Sequence, residues 1–340
     1  MPERAGAGHR GRFAVSDVSL AAQERYGLEI GSAGPGCGRD LGCLTSGDDV
    51  VAVGADTQIT DLTVNDHACL TFGEADELFD LTAAFVRDGL SGGLKVVWLS
   101  DSTLPQALAE LSRRGVAAES AATAGQMVVA ASQDSLLASE AFAAEHAMGW
   151  LTGQVAAYRS EGYRGLRIAV DMSWALRPIA GIEQLPGFEE GIAAALAGTR
   201  VSMLCQYDRE RFDPVTLASV AAFHTRSVAA ATYHHDAVLR ICRQYAPPGI
   251  RLAGQIDQSA GEALALALAE AIRVDGDITV NMAELSFIDV SCTRMIINAA
   301  RSLVPPRRVV LWCSPAIAAR FVLHGATHVP CVSLVTGHDR

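Results

Sequence analysis

Near the C-terminal end of the chain, an acid and a serine stand two positions apart where a helical pattern begins. Asp289 and Ser291 follow the apolar pair Phe287 and Ile288, and apolar residues then recur at helical spacing. A serine at such a place is typical of an N-cap, which stabilises a helix by about 1 kcal/mol. The same hydroxyl could accept a phosphoryl group, because a helix N-terminus favours an anion. Both interpretations of Ser291 stay open, and they are compatible in geometry.

A second group of polar and aromatic residues lies near strand ends in the N-terminal half. His67 and Cys69 are two positions apart on a predicted strand, so they should point to one face. Ligands of open α/β sheets bind outside the carboxyl ends of the strands. The pattern predicts a small-molecule pocket lined by His67, Asp101, Asp171, Trp174 and Tyr207. The alternative is that His67 and Trp174 are ordinary packing and hydrogen-bonding residues.

The cysteines and histidines that lie close together in the sequence do not form a predicted set of metal ligands. Cys37 and Cys43 have no second pair nearby, although a structural site needs about four ligands. His234 and His235 are adjacent, and adjacent residues of a strand or helix face different ways. We therefore expect no metal and no cofactor.

The elements that must position these residues alternate along the chain. Predicted strands such as HACLTF, KVVWLS, LRIAVD and RVSMLCQYD are separated by amphipathic helical segments. The helix after Phe212 is marked at its start by Asp213 and Pro214. This alternation predicts an α/β fold with a parallel sheet covered on both faces.

Three regions are expected along the chain. Residues 1–60 are rich in Gly, Ala, Ser and Asp, which predicts a largely disordered segment. Residues 61–245 form the first α/β domain. The run Ala246-Pro247-Pro248-Gly249 is typical of a linker, so residues 246–340 are predicted to form a second, smaller α/β domain.

Composition limits the class of function. The chain has 340 residues, half of them hydrophobic, and a formal net charge of −11, which argues against a nucleic-acid partner. No apolar run approaches the roughly 20 residues of a membrane helix, so we expect no membrane association. Eight cysteines without a secretory signal before them indicate a reducing, cytoplasmic location.

The C-terminal region resembles a STAS domain, the fold of anti-sigma factor antagonists. The resemblance rests on LAGQID, on DITVNMAELSFIDVS and on VVLWCSPAIAARFVLHGA. It implies that Ser291 is phosphorylated by a partner anti-sigma factor of the serine kinase type. The residues it implies for partner binding are Asp257, Asp289, Ser291, Cys292 and Thr293. Val290, Cys292 and Thr293 depart from the Ser and Gly-Leu that usually flank the phosphoacceptor, which makes STAS-like binding a firmer expectation than phosphorylation.

The N-terminal domain resembles a MEDS domain, a sensory module related to RecA- and KaiC-like folds. The resemblance rests on DHACLTFGEADEL, FVRDGLSGGLKVVWLSD, RIAVDMSWAL and LCQYDRERFD, followed by His224. The place of a phosphate-binding loop is taken by TFGEADELF, which has no lysine and carries Glu74, Asp76 and Glu77. Asp171 takes a Walker-B-like place. Carboxylates in this loop would repel phosphates, so we expect no ATP hydrolysis and no enzyme.

Together the two resemblances imply a signal-responsive anti-sigma factor antagonist that regulates transcription. Two alternatives stay open. One is a non-phosphorylated STAS scaffold or small-molecule sensor, in which self-association into a homo-oligomer is an option. The other is a degenerate RecA-like nucleotide-binding protein.

Overall fold

The computed structural model describes residues 57–138 and 141–336. These residues lie within one compact unit that runs from Gly54 to Arg340. Nearly all of the segment 1–60, expected to be disordered, lies outside the described residues. Among the described helices, none has the length and apolar character needed to cross a membrane.

Fifteen strands are formed by the described residues. They are β1 His67–Phe72, β2 Lys95–Leu99, β3 Met127–Ala130, β4 Leu137–Ala138, β5 Ala141–Phe142, β6 Leu166–Asp171, β7 Val201–Asp208, β8 Arg226–Val228, β9 Thr232–His235, β10 Leu239–Tyr245, β11 Pro248–Ile256, β12 Ile278–Met282, β13 Leu285–Ile288, β14 Val309–Cys313 and β15 Val332–Thr336.

Ten α-helices connect the strands, together with short 3-10 turns. They are α1 Ala75–Ser91, α2 Leu104–Arg113, α3 Ala118–Thr123, α4 Ser132–Ser135, α5 Ala144–Ser160, α6 Leu185–Leu196, α7 Pro214–Phe223, α8 Gly261–Val274, α9 Val290–Arg301 and α10 Pro315–Leu323.

The first sheet has six strands in the order β3-β2-β6-β7-β1-β8, and all of its pairs are parallel. Helices α1, α2 and α3 bury apolar residues such as Leu81 and Phe85 on one face. Helices α5, α6 and α7 cover the other face with residues such as Leu151 and Ile192. The expected α/β class with a parallel, two-sided sheet is therefore confirmed. Asp213 caps α7 as expected, because its carboxylate accepts hydrogen bonds from the backbone N–H groups of Val215 and Thr216.

The second sheet has seven strands. Six follow the order β15-β14-β12-β11-β10-β9, and β13 pairs with the second half of β11. The pairs from β11 to β15 are parallel, whereas β9, β10 and β11 form an antiparallel meander. Helices α8, α9 and α10 pack on one face through residues such as Leu264, Ile296 and Phe321.

The expected linker at Ala246–Gly249 is a hairpin turn instead. Tyr245 of β10 pairs with Pro248 of β11, so only Ala246 and Pro247 connect the two strands. Proline and glycine mark tight turns as well as linkers, and the sequence pattern does not separate the two cases. The second sheet accordingly begins at Thr232, and a division at 245/246 would cut through it.

Helix α1 joins the two sheets. Arg240 and Arg251 of the second sheet form ion pairs with Glu77 and Glu74, which lie at the start of α1. Asp80 of α1 accepts hydrogen bonds from the backbone N–H groups of Tyr245 and Ala246. Because Tyr245 and Ala246 also pack in the apolar core beneath the first sheet, the two sheets share a buried interface.

Candidate functional site

A cluster of buried metal-ligating side chains lies on the α6 face of the first sheet. We call it the His–Glu–Cys cluster, and its members are His67, Glu189, Cys205 and His224. Nε2 of His67 lies 3.2 Å from Oε2 of Glu189, and Nε2 of His224 lies 3.6 Å from the same oxygen. Sγ of Cys205 lies 3.5 Å from His67 Nε2 and 3.9 Å from Glu189 Oε2. All four side chains are buried.

Strand pairing brings His67 of β1 and Cys205 of β7 together. His67 and Cys69 alternate on β1, and Cys69 is paired in register with Cys205 of β7. Side chains two apart on a strand share a face, as do those directly opposite on neighbouring strands. The expectation that His67 and Cys69 point to one side is therefore confirmed.

The other two members come from helices. Glu189 lies on the buried face of α6, at helical spacing from Leu185, Ile192 and Leu196. His224 follows the last residue of α7. Its position beside β1 is fixed by Thr225, whose backbone N–H donates to the carbonyl oxygen of His67 at 2.7 Å.

Hydrogen bonds to neighbouring groups orient the side chains of the cluster. The hydroxyl of Tyr207 donates to Oε1 of Glu189 at 3.0 Å, which leaves Oε2 facing the two histidines. Nδ1 of His224 lies 2.7 Å from the carbonyl oxygen of Val220, so it carries the proton. Nε2 of His224 is then a lone-pair acceptor, and it is buried without a hydrogen-bond partner among the described residues. Nδ1 of His67 is buried without one as well.

Burial is the largest single influence on the pKa values of Cys205, His224 and Glu189. It raises the pKa of the Cys205 thiol well above the usual range, and Glu189 adds to the effect. Burial lowers the pKa of His224 to about 4. Burial also acts to raise the pKa of Glu189, but its contacts with His67, His224 and Tyr207 outweigh this and leave that pKa below its usual value.

The residues expected to line a small-molecule pocket lie in separate groups in the structure. His67 and Tyr207 meet through Glu189. Asp101 instead forms an ion pair with Arg177 at 2.7 Å. Asp171 caps the turn Met172–Leu176 by accepting from the N–H of Ser173, and burial raises its pKa.

Trp174, the fifth expected pocket residue, is fully buried and packs against Phe142 with ring centroids 5.2 Å apart. It is therefore a core residue. Among the described residues, no hydrogen bond or ion pair connects the group around Glu189 with Asp101 or Asp171.

The place of a phosphate-binding loop is filled by protein side chains. Gly73 lies directly against the guanidinium of Arg209, and its backbone N–H donates to Glu77 at 3.0 Å. Glu74, Asp76 and Glu77, the acids expected to repel phosphates, bind arginines, and Asp76 also accepts from the side-chain amide of Asn281.

The serine at the start of α9 is not the N-cap. Asp289 is the N-cap, because its carboxylate accepts from the N–H of Cys292 at 2.7 Å. The same carboxylate accepts from the N–H of Gln258 at 2.9 Å, which ties the two loops together. Ser291 is the second residue of the helix and is exposed. The cap interpretation of Ser291 is therefore wrong, since an acid two positions earlier already fills that role.

The residues expected to bind a partner differ in accessibility. Asp257 is exposed, and the backbone N–H and hydroxyl of Ser259 both donate to its carboxylate. Cys292 and Thr293 are buried, and the hydroxyl of Thr293 donates to the carbonyl oxygen of Asp289 at 2.7 Å. Their side chains face the interior of the domain and are not part of the exposed surface, and their role in partner binding stays a prediction.

A shallow depression surrounds Ser291. It is lined by Gln258, Asp289, Val290, Ser291, Arg294, Met295 and Asn298. Val290 is apolar and about two-fifths exposed in this lining; Phe287 is similarly exposed, and the guanidinium of Arg320 lies over its ring. The thiol of Cys292 does not enter this surface, because that side chain is buried.

Three members of the His–Glu–Cys cluster, Glu189, Cys205 and His224, were not proposed as site residues from the sequence. In the sequence, Cys205 is one residue of a predicted apolar strand, and Glu189 is one acid in a predicted alanine-rich helix. The signal for Glu189 was present, because an acid spaced for the buried face of a helix needs a polar partner inside the protein.

The fold and cluster define a two-sheet α/β protein with a polar site buried beside β1. Residues 66–225 match the family model of MEDS, the MEthanogen/methylotroph, DcmR Sensory domain, so a signalling type of function is supported for this part of the chain. The match ends before the second sheet, and the STAS resemblance of that sheet stays a prediction. Comparison with curated proteins gives no match.

Solved structures with a similar architecture include archaeal proteins. A KaiC-like protein, PH0186 of Pyrococcus horikoshii OT3, matches at 10% identity over 56% of this chain and 80% of its own, with a TM-score of 0.41. The flagellar accessory protein FlaH of Methanocaldococcus jannaschii matches at 10% identity over 55% and 83%, with a TM-score of 0.38. An uncharacterized protein, PH0321 of P. horikoshii, crystallised with an unknown peptide, matches at 16% identity over 58% and 95%, with a TM-score of 0.44. Structural similarity at these TM-scores supports no conclusion about the function or the site residues of this chain.

Proposed function

We propose that this chain is a cytoplasmic, signal-responsive regulator whose second sheet binds a protein partner at the surface around Ser291. The partner is an anti-sigma factor of the serine kinase type, and its capture releases a sigma factor for transcription. The observation that carries the proposal is the exposed hydroxyl of Ser291 in the first turn of α9, next to the exposed apolar side chain of Val290, which lines the same depression.

Phosphorylation of Ser291 would act as a charge switch on that surface. A phosphate adds nearly two negative charges, and the free N–H groups of a helix N-terminus tolerate them. Arg294 lies one turn further along α9 and lines the same depression, where it can pair with the phosphate. The modified surface would keep its fold and would repel an acidic or apolar partner face.

Partner capture with matched serine variants tests the switch. The full chain, Ser291→Ala, Ser291→Asp and the control Ser302→Asp are used as bait, and bound proteins are identified by mass spectrometry. Ser302 is exposed at the other end of the same helix. We expect an anti-sigma-type kinase with the full chain, Ser291→Ala and Ser302→Asp, its loss with Ser291→Asp, and phosphate on Ser291.

The alternatives predict different results. Capture of the same partners by all four baits, with Ser291 never modified, overturns the switch. Capture of only further copies of this chain identifies the self-associating scaffold.

We also propose that the first domain has no ATPase activity. The proximity of Arg209 to Gly73 and the ion pairs of Glu74 and Glu77 support this, because they take the space and the charge that phosphates would need. Titration with ATP and Mg²⁺ in a calorimeter should give no heat of binding. Stoichiometric binding would restore the nucleotide-switch alternative.

A further inference from the structure

We propose that the His–Glu–Cys cluster binds one divalent transition-metal ion, for which Zn²⁺ is the best match. From the distances between them, we assign the ligating atoms as Nε2 of His67, Oε2 of Glu189, Sγ of Cys205 and Nε2 of His224. This site lies in the first domain and is independent of the partner surface around Ser291.

The distances between the ligating atoms fit a tetrahedral site. Metal–ligand bonds of about 2.0–2.3 Å place tetrahedral ligands about 3.3–3.8 Å from one another. Three of the measured separations are 3.2, 3.5 and 3.6 Å, and the separation of Cys205 Sγ from Glu189 Oε2 is 3.9 Å. One ligand atom from each of the four residues can be chosen so that all four lie within 4.8 Å of one another. An ion can therefore be accommodated with small side-chain adjustments.

The unpartnered nitrogen of His224 points to the same conclusion. A buried polar atom without a partner costs free energy, and native structures rarely leave one. Nε2 of His224 is fully buried, faces Glu189 and has no hydrogen-bond partner among the described residues. Its Nδ1–H group already donates to the carbonyl oxygen of Val220, which is the outer contact that orients metal-bound histidines. Tyr207 orients Glu189 in the same way.

Charge balance favours a divalent ion. The Glu189 carboxylate and a Cys205 thiolate together carry two negative charges, which one M²⁺ neutralises in a site closed to water. Binding to the thiol releases one proton, because the S–H bond is replaced by an S–metal bond. Thiolate, imidazole and carboxylate are the three ligand types of Zn²⁺.

The ion would have a structural role. Four protein ligands complete a tetrahedral shell, whereas a catalytic site keeps one position open for water or substrate. The ligands come from β1, α6, β7 and the residue after α7. The ion therefore joins two central strands to two helices of the domain.

Cobalt binding with matched variants tests the site. Cys37 and Cys43, which lie outside the described residues, are replaced by Ser in every protein, so that they cannot contribute ligands. The cluster variants are Cys205→Ser and His224→Gln. The controls are Cys313→Ser, a buried cysteine of the second sheet, and His235→Gln, an exposed histidine.

With Co²⁺, we expect one ion per chain, intense visible bands of a tetrahedral site and a thiolate-to-cobalt charge-transfer band. Cys205→Ser should lose the charge-transfer band, and His224→Gln should bind at least tenfold more weakly, whereas the controls should match the parent. Zn²⁺ should displace Co²⁺ stoichiometrically. The absence of these bands in the parent, or equal binding by cluster and control variants, overturns the proposal.

Thermal unfolding gives a second readout if a cluster variant folds poorly. A bound ion stabilises the folded state in proportion to the logarithm of its concentration. The unfolding temperature of the parent should therefore rise with added Zn²⁺ and fall with a chelator. An unfolding temperature that is unchanged by either treatment contradicts the proposal without the use of any variant.

Discussion

At the scale of single residues, the start of α9 separates two roles that the sequence could not separate. Asp289 caps the helix and accepts from the N–H of Gln258, while Ser291 is exposed and its hydroxyl makes no hydrogen bond to another described residue. The helix cap and the proposed phosphorylation site are therefore different side chains, two positions apart. That arrangement leaves the serine free to be modified without unfolding the helix.

The first prediction concerns this division. Asp289→Ala should lower the free energy of unfolding by about 1–2 kcal/mol, because a cap is lost and a second N–H loses its acceptor. Asp289→Asn, which also caps well, should recover most of the loss. Ser291→Ala should change it by less than about 0.5 kcal/mol. Urea unfolding of the three variants measures these differences, and a Ser291→Ala loss equal to that of Asp289→Ala would contradict the assignment.

The second prediction concerns Asp80 and pH. Burial raises the pKa of Asp80 to about 8, even though two backbone N–H groups donate to it. Since the pKa is higher in the folded state, the contribution of Asp80 to stability is complete below about pH 4 and is lost as pH rises towards 8. Asp80→Asn cannot ionise, so its unfolding temperature should fall less than that of the parent between pH 5 and pH 8. Parallel pH profiles for the two proteins would show that Asp80 is already ionised in the fold.

At the scale of elements, α1 is the connection between the two sheets. Its first turns carry Glu74, Asp76 and Glu77, and each of these acids has a partner outside the helix. Glu77 is 1% exposed and also lies near Arg209 and Arg251. A buried carboxylate of this kind is tolerated only because cations surround it.

The third prediction tests this buried ion pair. Glu77→Gln leaves Arg240 without its charge partner and should lower the free energy of unfolding by about 3–5 kcal/mol. The double variant Glu77→Gln/Arg240→Gln should lose less than the sum of the single losses, because the uncompensated charge is removed with its partner. The exposed Glu262→Gln serves as the control and should stay within about 0.5 kcal/mol of the parent. Additive losses would mean that the pair is not coupled.

At the scale of the whole molecule, the described residues form one compact body that contains two sheets. Cys242, Tyr245 and Ala246 of the second sheet pack in the same apolar cluster as Leu81 and Phe85 of α1. Independent domains would meet through a smaller, more polar surface. The two sheets are therefore expected to unfold together.

The fourth prediction follows from the shared core. Differential scanning calorimetry of the full chain should show one unfolding transition for both sheets, with calorimetric and van't Hoff enthalpies that agree. Glu77→Gln should move this single transition to lower temperature without splitting it. Two resolved transitions in the parent would show that the sheets fold separately.

Much of the fold was predictable because it depends on local pattern. Alternating apolar strands and amphipathic helices indicated a two-sided parallel sheet, and Asp213 with Pro214 marked the start of α7. The shared face of His67 and Cys69 followed from the period of a strand. Such features are set by neighbours in sequence, so the sequence contains them directly.

The boundary between the sheets was not predictable in the same way. Ala246 and Pro247 form a turn, and β9 and β10 belong to the second sheet because of their pairing with β11. Strand pairing depends on which chain segment lies alongside, and turn residues look alike in linkers and hairpins.

The sequence by itself determined the α/β class, the absence of a phosphate-binding lysine and the presence of a helix start close to Ser291. Only the tertiary structure decided that Asp289 rather than Ser291 is the cap, and that Cys292 is buried. It also brought His67 within 3.5 Å of Cys205, a residue 138 positions away, with Glu189 and His224 beside them. The proposed metal ligands and the buried ion pairs are brought together by the packing of distant elements. The periodicity that predicts strands and helices does not specify which faces of these elements pack against each other.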